Sequence, residues 1–148
     1  MIDLERYYPS KVFVGVWDGI DELIINNQLF SVVDVLKELK QEHDDDDPVI
    51  ERWEDAENFF VESNDEEQVI IKEIMNEERY EVFRNHAPDK GVWADPHLIA
   101  CAESRDGFVI TNETLNRQPE RKIPFVCVDR DVKYMSMLEL MQYLDWTF

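Results

Sequence analysis

Three carboxylates stand where chemistry could be done: Glu38, Asp95 and Glu113. Glu38 lies near the start of a helical stretch that follows a short strand. Asp95 precedes Pro96 and the apolar run Leu98, Ile99, Ala102, which is a strong helix start: its carboxylate can accept from free N–H groups, and proline suits the first helical position. Glu113 ends a short β-rich segment, Phe108-Val109-Ile110 followed by Thr111-Asn112. In an open parallel sheet, ligands sit outside the carboxyl ends of strands. Three acids gathered at such an edge would repel one another unless a hard divalent cation such as Mg²⁺ or Mn²⁺ took their oxygens. A cation so held can activate water and stabilise phosphate in transfer. A plainer reading stays open: Asp95 caps a helix, Glu38 faces solvent and Glu113 sits in a turn.

Other chemical groups say less. His97, two positions after Asp95, is either a ligand or acid–base group, or an exposed histidine in a first helical turn. Arg117, Arg121 and Lys122 form the most basic short run and could contact phosphate, or be a solvated loop. No nucleophile elbow, Gly-rich phosphate loop or paired cysteine motif occurs. Cys101 and Cys127 both lie in apolar contexts, which reads as two buried, reduced thiols.

The elements that must position these groups alternate. Residues 11–27 carry Val12, Phe13, Val16, Trp17, Ile20, Leu23 and Ile24 at helical spacing, with Ser10 as cap and Asn26-Asn27 as the end. Residues 29–33 read as a strand. Asp34 opens a helix with Val35, Leu36 and Leu39 inward. His43 and Asp44 to Asp47 are a solvated loop; a calcium loop would need alternating ligands and a turn glycine. Ile50, Trp53 and Glu54 begin a further helical turn, and Phe59-Phe60-Val61 is a short strand. Residues 65–85 read as one long amphipathic helix with Val69, Ile70, Ile74, Val82 and Phe83 inward. Asp106-Gly107 turns the chain into the buried strand 108–110. Residues 123–127 read as irregular, 132–136 as a strand, and 137–144 as a last helix with Leu138, Met141 and Leu144 inward. Tyr7-Tyr8-Pro9 reads as loop, and residues 1–2 as the tail of a strand. Strands alternating with helices give an α/β fold with a mostly parallel sheet.

Length and composition set the frame. The 148 residues predict one domain, and 44% hydrophobic residues fit a globular fold. No apolar run approaches the roughly 20 residues that span a bilayer, and no signal peptide is visible, so the expected setting is cytoplasmic with no membrane partner. Net charge is −19, unevenly placed: residues 41–81 hold 17 of the 34 acids and 3 of the 15 basic residues. A chain this acidic needs a local basic patch or bound cations to meet a polyanion. An acidic mimic of nucleic acid would rest on charge alone.

The ordered set of motifs resembles the PIN-domain superfamily. More narrowly it resembles a PIN-like branch, a domain of unknown function, with RYYP near the start and an ADPWLIA-type helix. Here these are Arg6-Tyr7-Tyr8-Pro9, then Trp17, then Ala94 to Ala100 within ADPHLIACA, then TNE and KIPFVC. The order matches nearly the whole chain. The resemblance implies an α/β/α sandwich on a parallel sheet and a Mg²⁺- or Mn²⁺-dependent ribonuclease, often the toxin of a toxin–antitoxin pair. It maps the family's second, third and fourth acids to Glu38, Asp95 and Glu113. His97 departs from the family's usual aromatic. The family's first strand, which carries its first metal-binding Asp, would lie upstream of Met1, and Asp3 is not its equivalent by register. A missing or truncated first strand leaves backbone groups unpaired on its neighbours. The neighbours then close up, or another chain fills the gap as in a homodimer. Two functions follow: an RNA-hydrolysing enzyme, with Arg117, Arg121 and Lys122 as RNA contacts, or a non-catalytic PIN-like domain that binds an antitoxin or itself.

Overall fold

Parallel strand pairs and short helices make up the computed structural model, which describes residues 4–42 and 46–148. The order is α1 (Leu4–Tyr7), α2 (Val14–Ile25), β1 (Ser31–Val32), α3 (Val33–Glu42), α4 (Pro48–Trp53), β2 (Phe60–Val61), α5 (Asp65–Asn76), α6 (Glu81–Arg84), α7 (Asp95–Ser104), β3 (Phe108–Ile110), α8 (Ile123–Asp129), β4 (Lys133–Met135) and α9 (Met137–Tyr143). Ser31 lies opposite Phe60 and Val32 opposite Val61. In the second pair, Phe108, Val109 and Ile110 face Lys133, Tyr134 and Met135. The expected α/β class with parallel pairing is therefore observed. Residues 1–2 and the His43 end of the acidic loop lie outside the described residues. Among those described, no helix is long and apolar enough to cross a membrane. The chain falls into two compact units, Met1–Glu62 with Lys90–Ala94, and Ser63–Asp89 with Asp95–Phe148.

The first unit is built around α2. Its stripe Val16, Trp17, Ile20, Leu23 and Ile24 is buried, as helical spacing predicts. The expected start is wrong, however. The amides of Val12 and Phe13 both donate to the Pro9 carbonyl, at 2.9 and 2.8 Å, so the chain turns before the helix begins. Val12 and Phe13 are exposed. Ser10 is not the cap; its own N–H donates to the Glu5 carboxylate at 2.9 Å. Trp17 stacks on Trp53, and Trp53 meets Phe59 edge-on. On α3, Val35 and Leu39 are buried, one turn apart, while Leu36 is only part-buried. The last aspartate of the acidic loop is a helix cap. Asp47 accepts from the Val49 amide at 2.8 Å at the start of α4, with Pro48 at the first helical position.

The second unit corrects the expectation of one helix over residues 65–85. Helix α5 stops at Asn76, Glu77 is extended with ψ 123°, and a 3₁₀ turn, Glu78–Tyr80, leads into α6. Tertiary bonds compensate for the break. Tyr80 is fully buried with its hydroxyl on Asp129, and the Arg84 guanidinium donates to the Ile74 and Glu77 carbonyls. These lie in the stretch where a helix end leaves carbonyls open. Val69 and Val82, expected inward, are exposed, while Glu67, Ile70, Ile71, Ile74 and Phe83 are buried. Residues 123–127 are helical, not irregular: Lys122 is extended, and Pro124, in the first turn, forfeits no intrahelical bond there. Of the strand 108–110 only Val109 is buried; Phe108 is exposed beneath the Lys133 ammonium, 5.6 Å from its ring centre. Helix α9 is capped by Ser136 and Glu139 in a reciprocal capping box. It buries Met137 and Met141, and Leu138, expected inward, is exposed.

Candidate functional site

Glu38 and the chain just before Asp95 are joined directly. Helix α3 presents the Glu38 carboxylate, which accepts from the Ala94 amide at 2.7 Å. One turn on, Gln41 accepts from the Val92 amide at 3.3 Å. Two residues at helical spacing thus hold segment 92–94 by its backbone, so the bonds depend on chain position rather than on the side chains held. Gly91 makes the approach possible. It has φ +95°, a conformation that favours glycine, and a Cβ there would crowd the Gln41 amide oxygen.

Burial pushes the Glu38 carboxyl above its ordinary 4.5; Glu42 and Asp34 push the same way, while the Ala94 N–H opposes them. The folded chain therefore binds this proton more tightly than the unfolded chain. Glu38 adds stability when protonated, and that contribution falls as pH rises from 4.5 through the raised value. Glu38→Gln, which can still accept from Ala94, should be at least as stable as the parent at pH 7. Its advantage should vanish as pH drops below 4.5. Urea midpoints at the two pH values measure this; a Gln variant less stable at pH 7 and unchanged in acid would contradict it.

Asp95 is the first residue of α7 and is half-buried, followed by buried Pro96. His97 has Nδ1 3.3 Å from the Ser63 hydroxyl. Glu113 is exposed, and its carboxylate accepts from the Ile123 amide at 2.8 Å, satisfying an open donor at the start of α8. Its own amide donates to Thr111 Oγ1 at 3.1 Å. Glu113 therefore serves as a loop clasp. The basic run divides in the same way. Lys122 donates to the Asn116 carbonyl at 2.6 Å, while Arg117 and Arg121 are exposed. Among the described residues, no three His, Cys, Asp or Glu side chains are grouped so as to hold a metal ion.

Both cysteines are buried and unpaired, as expected. Burial raises both thiols, Cys127 to about 12, so neither offers a thiolate at neutral pH.

Three further arrangements join residues far apart in the chain. Glu67 is a buried carboxylate bonded to Ser104, Asn64 and Arg105. Arg130 forks onto Glu103, at 2.7 and 2.9 Å, and reaches Glu73 at 2.7 Å. Asp129 joins Tyr80 and Arg79 beside a cavity lined by Leu115, Pro119, Phe125, Val128 and Asp129. Sequence reasoning missed all three. Only the first had a local signal, the Asn64-x-x-Glu67 capping pattern.

Comparison with curated proteins and with solved structures returns no match. The family model described as Domain of unknown function (DUF4411) matches residues 1–148, and the chain belongs to that family.

Proposed function

We propose that the chain is a PIN-like ribonuclease that hydrolyses RNA phosphodiesters with Glu38, Asp95 and Glu113 as its carboxylates and Mg²⁺ or Mn²⁺ as its cation. The same reading takes an α/β/α sandwich as the fold, one domain over residues 1–148, the cytoplasm as the compartment, and an antitoxin as partner. The observation that carries it is the Glu38 bond to the Ala94 amide, which commits a half-buried carboxylate to the residue before Asp95. A carboxyl held above its ordinary pKa by burial and neighbouring acids is a common mark of a functional site.

The described side chains do not form a ready metal centre. No three candidate ligands are grouped, and Glu113 is engaged at Ile123. That engagement favours a second reading, a non-catalytic PIN-like domain acting by protein binding, to an antitoxin or to a second copy.

One assay separates the two: the full chain on a mixed single-stranded RNA pool with Mn²⁺, with EDTA and Asp95→Asn in parallel. The ribonuclease reading expects cleavage that EDTA abolishes. It also expects Asp95→Asn to lower the rate by more than the roughly 100-fold that losing a mere supporting partner of a metal ligand can cause. A folded chain that leaves the RNA intact with Mn²⁺ overturns this reading in favour of the second.

A further inference from the structure

The cavity beside Asp129 differs in chemistry from the three carboxylates and has no role in the reading above. It measures about 350 Å³ and is walled by Leu115, Pro119, Phe125 and Val128, with Asp129 as its charged group. Its walls are held in place. Phe125 meets the buried Tyr80 ring edge-on, 6.4 Å between centres. The loop that supplies Leu115 and Pro119 is clasped twice, by Glu113 on the Ile123 amide and by Lys122 on the Asn116 carbonyl. Between the clasps, Arg117 and Gln118 hold consecutive left-handed backbones, φ 52° and 47°. Such conformations cost about 1–3 kcal/mol each and persist where surrounding structure enforces them.

Asp129 is an acceptor with capacity left over. One oxygen takes the Arg79 guanidinium at 2.9 Å, and the other takes the Tyr80 hydroxyl. Burial and Asp129 push that phenol up to about 12, so it stays a donor. Each carboxylate oxygen can accept twice, so each keeps one lone pair for a ligand. The Arg79 side chain is 62% exposed; its Nε faces Glu77 at 3.3 Å, and its remaining N–H groups can take an anion. Arg121 is exposed on the same 3₁₀ turn that supplies Pro119.

An occupant with an apolar flat body, neutral donors for a carboxylate and an anionic group would use all of these features. Unpaired RNA bases are recognised in this way, by stacking on aromatics and by hydrogen bonds to their Watson–Crick edges. Among the four bases, guanine presents two adjacent donors, N1–H and N2–H. Adenine and cytosine set a ring-nitrogen acceptor beside their amino donor, and uracil flanks its N3–H with carbonyls, so each turns an acceptor toward Asp129. We propose that this cavity holds an unpaired guanine of single-stranded RNA, its ring against Phe125 and Val128, its N1–H and N2–H on Asp129, and its phosphate toward Arg79. The inference rests on the reading of the chain as a protein that acts on RNA, and it supplies the base preference.

The test is equilibrium titration of the full chain with GMP, AMP, CMP and UMP, without divalent cation. GMP should bind at least about 10-fold tighter than the others, within the range that a bidentate base contact provides. Asp129→Asn should level the four affinities. Because Asp129 also anchors Tyr80, a second variant is needed at an exposed position: Val128→Glu should cut GMP binding by about 10-fold or more by replacing the apolar surface against the ring with a charge that binding would desolvate. Equal affinities, no GMP binding, or a Val128→Glu variant that binds GMP as the parent does would overturn the proposal. Guanine preference with no RNA cleavage under Mn²⁺ would retain the pocket and remove the ribonuclease. Cleavage with no preference for GMP would do the reverse.

Discussion

Trp17→Ala is expected to lower the unfolding free energy by about 3–5 kcal/mol. The indole is fully buried and lies flat on Trp53, with ring centres 4.9 Å apart and planes 15° from parallel. Its Nε1–H donates to the Tyr8 carbonyl at 2.7 Å, tying the RYYP segment to α2. Alanine removes the stack, opens a cavity against Trp53 and loses the bond to the Tyr8 carbonyl at once. Small domains have only about 5–15 kcal/mol in total, so one substitution should remove a large share. Trp17→Phe refills part of the volume but cannot donate, so it should cost clearly less. Urea denaturation followed by circular dichroism measures both. A Trp17→Ala loss under about 1 kcal/mol would mean that the indole is not packed against Trp53 in solution.

The second large effect is expected at Glu67. Its side chain is 1% exposed and accepts from Ser104 Oγ at 2.9 Å and from the Asn64 amide and side chain at 3.3 Å, with Arg105 Nε at 3.5 Å. Asn64 in turn accepts from the Glu67 amide at 2.9 Å, closing the capping box at the start of α5. Glu67→Ala strands these donors and leaves a hole where α5 packs on α7. Removing one partner of a buried ion pair costs about 3–5 kcal/mol. The lower end is expected here, because Arg105 can turn to water. Glu67→Gln keeps the shape but places an NH₂ where an oxygen accepted, so its loss should be intermediate. Thermal unfolding of the three proteins should rank Glu above Gln above Ala. A Gln variant as stable as the parent would show that the charge is unimportant and only the shape matters.

Both sites show what a linear pattern conveys. Trp17 was legible because α2 repeats apolar residues at helical spacing from Val16 to Ile24, although the two positions expected before them, Val12 and Phe13, are exposed. Glu67 was not, because it looks like any other acid on a polar face. Its burial depends on Ser104 and Arg105, nearly forty positions on. The break at Glu77 was hidden for the same reason: the residues that compensate for it, Arg84 and the Tyr80–Asp129 pair, act through the folded unit.

The candidate site divides along the same line. Sequence by itself determined the α/β class, the parallel order of short strands, the start of α7 at Asp95-Pro96, the inward stripe of α2 and the burial of both cysteines. These follow from local backbone chemistry and hydrophobic period, which act within a few residues. Only the tertiary structure decided which acids are bound and to what. Glu38 went to the Ala94 amide, Glu113 to the Ile123 amide, Asp129 to Tyr80 and Glu67 into the core. A carboxylate's role is set by the donor that reaches it and by how much water it loses, and both depend on chain segments that meet only on folding.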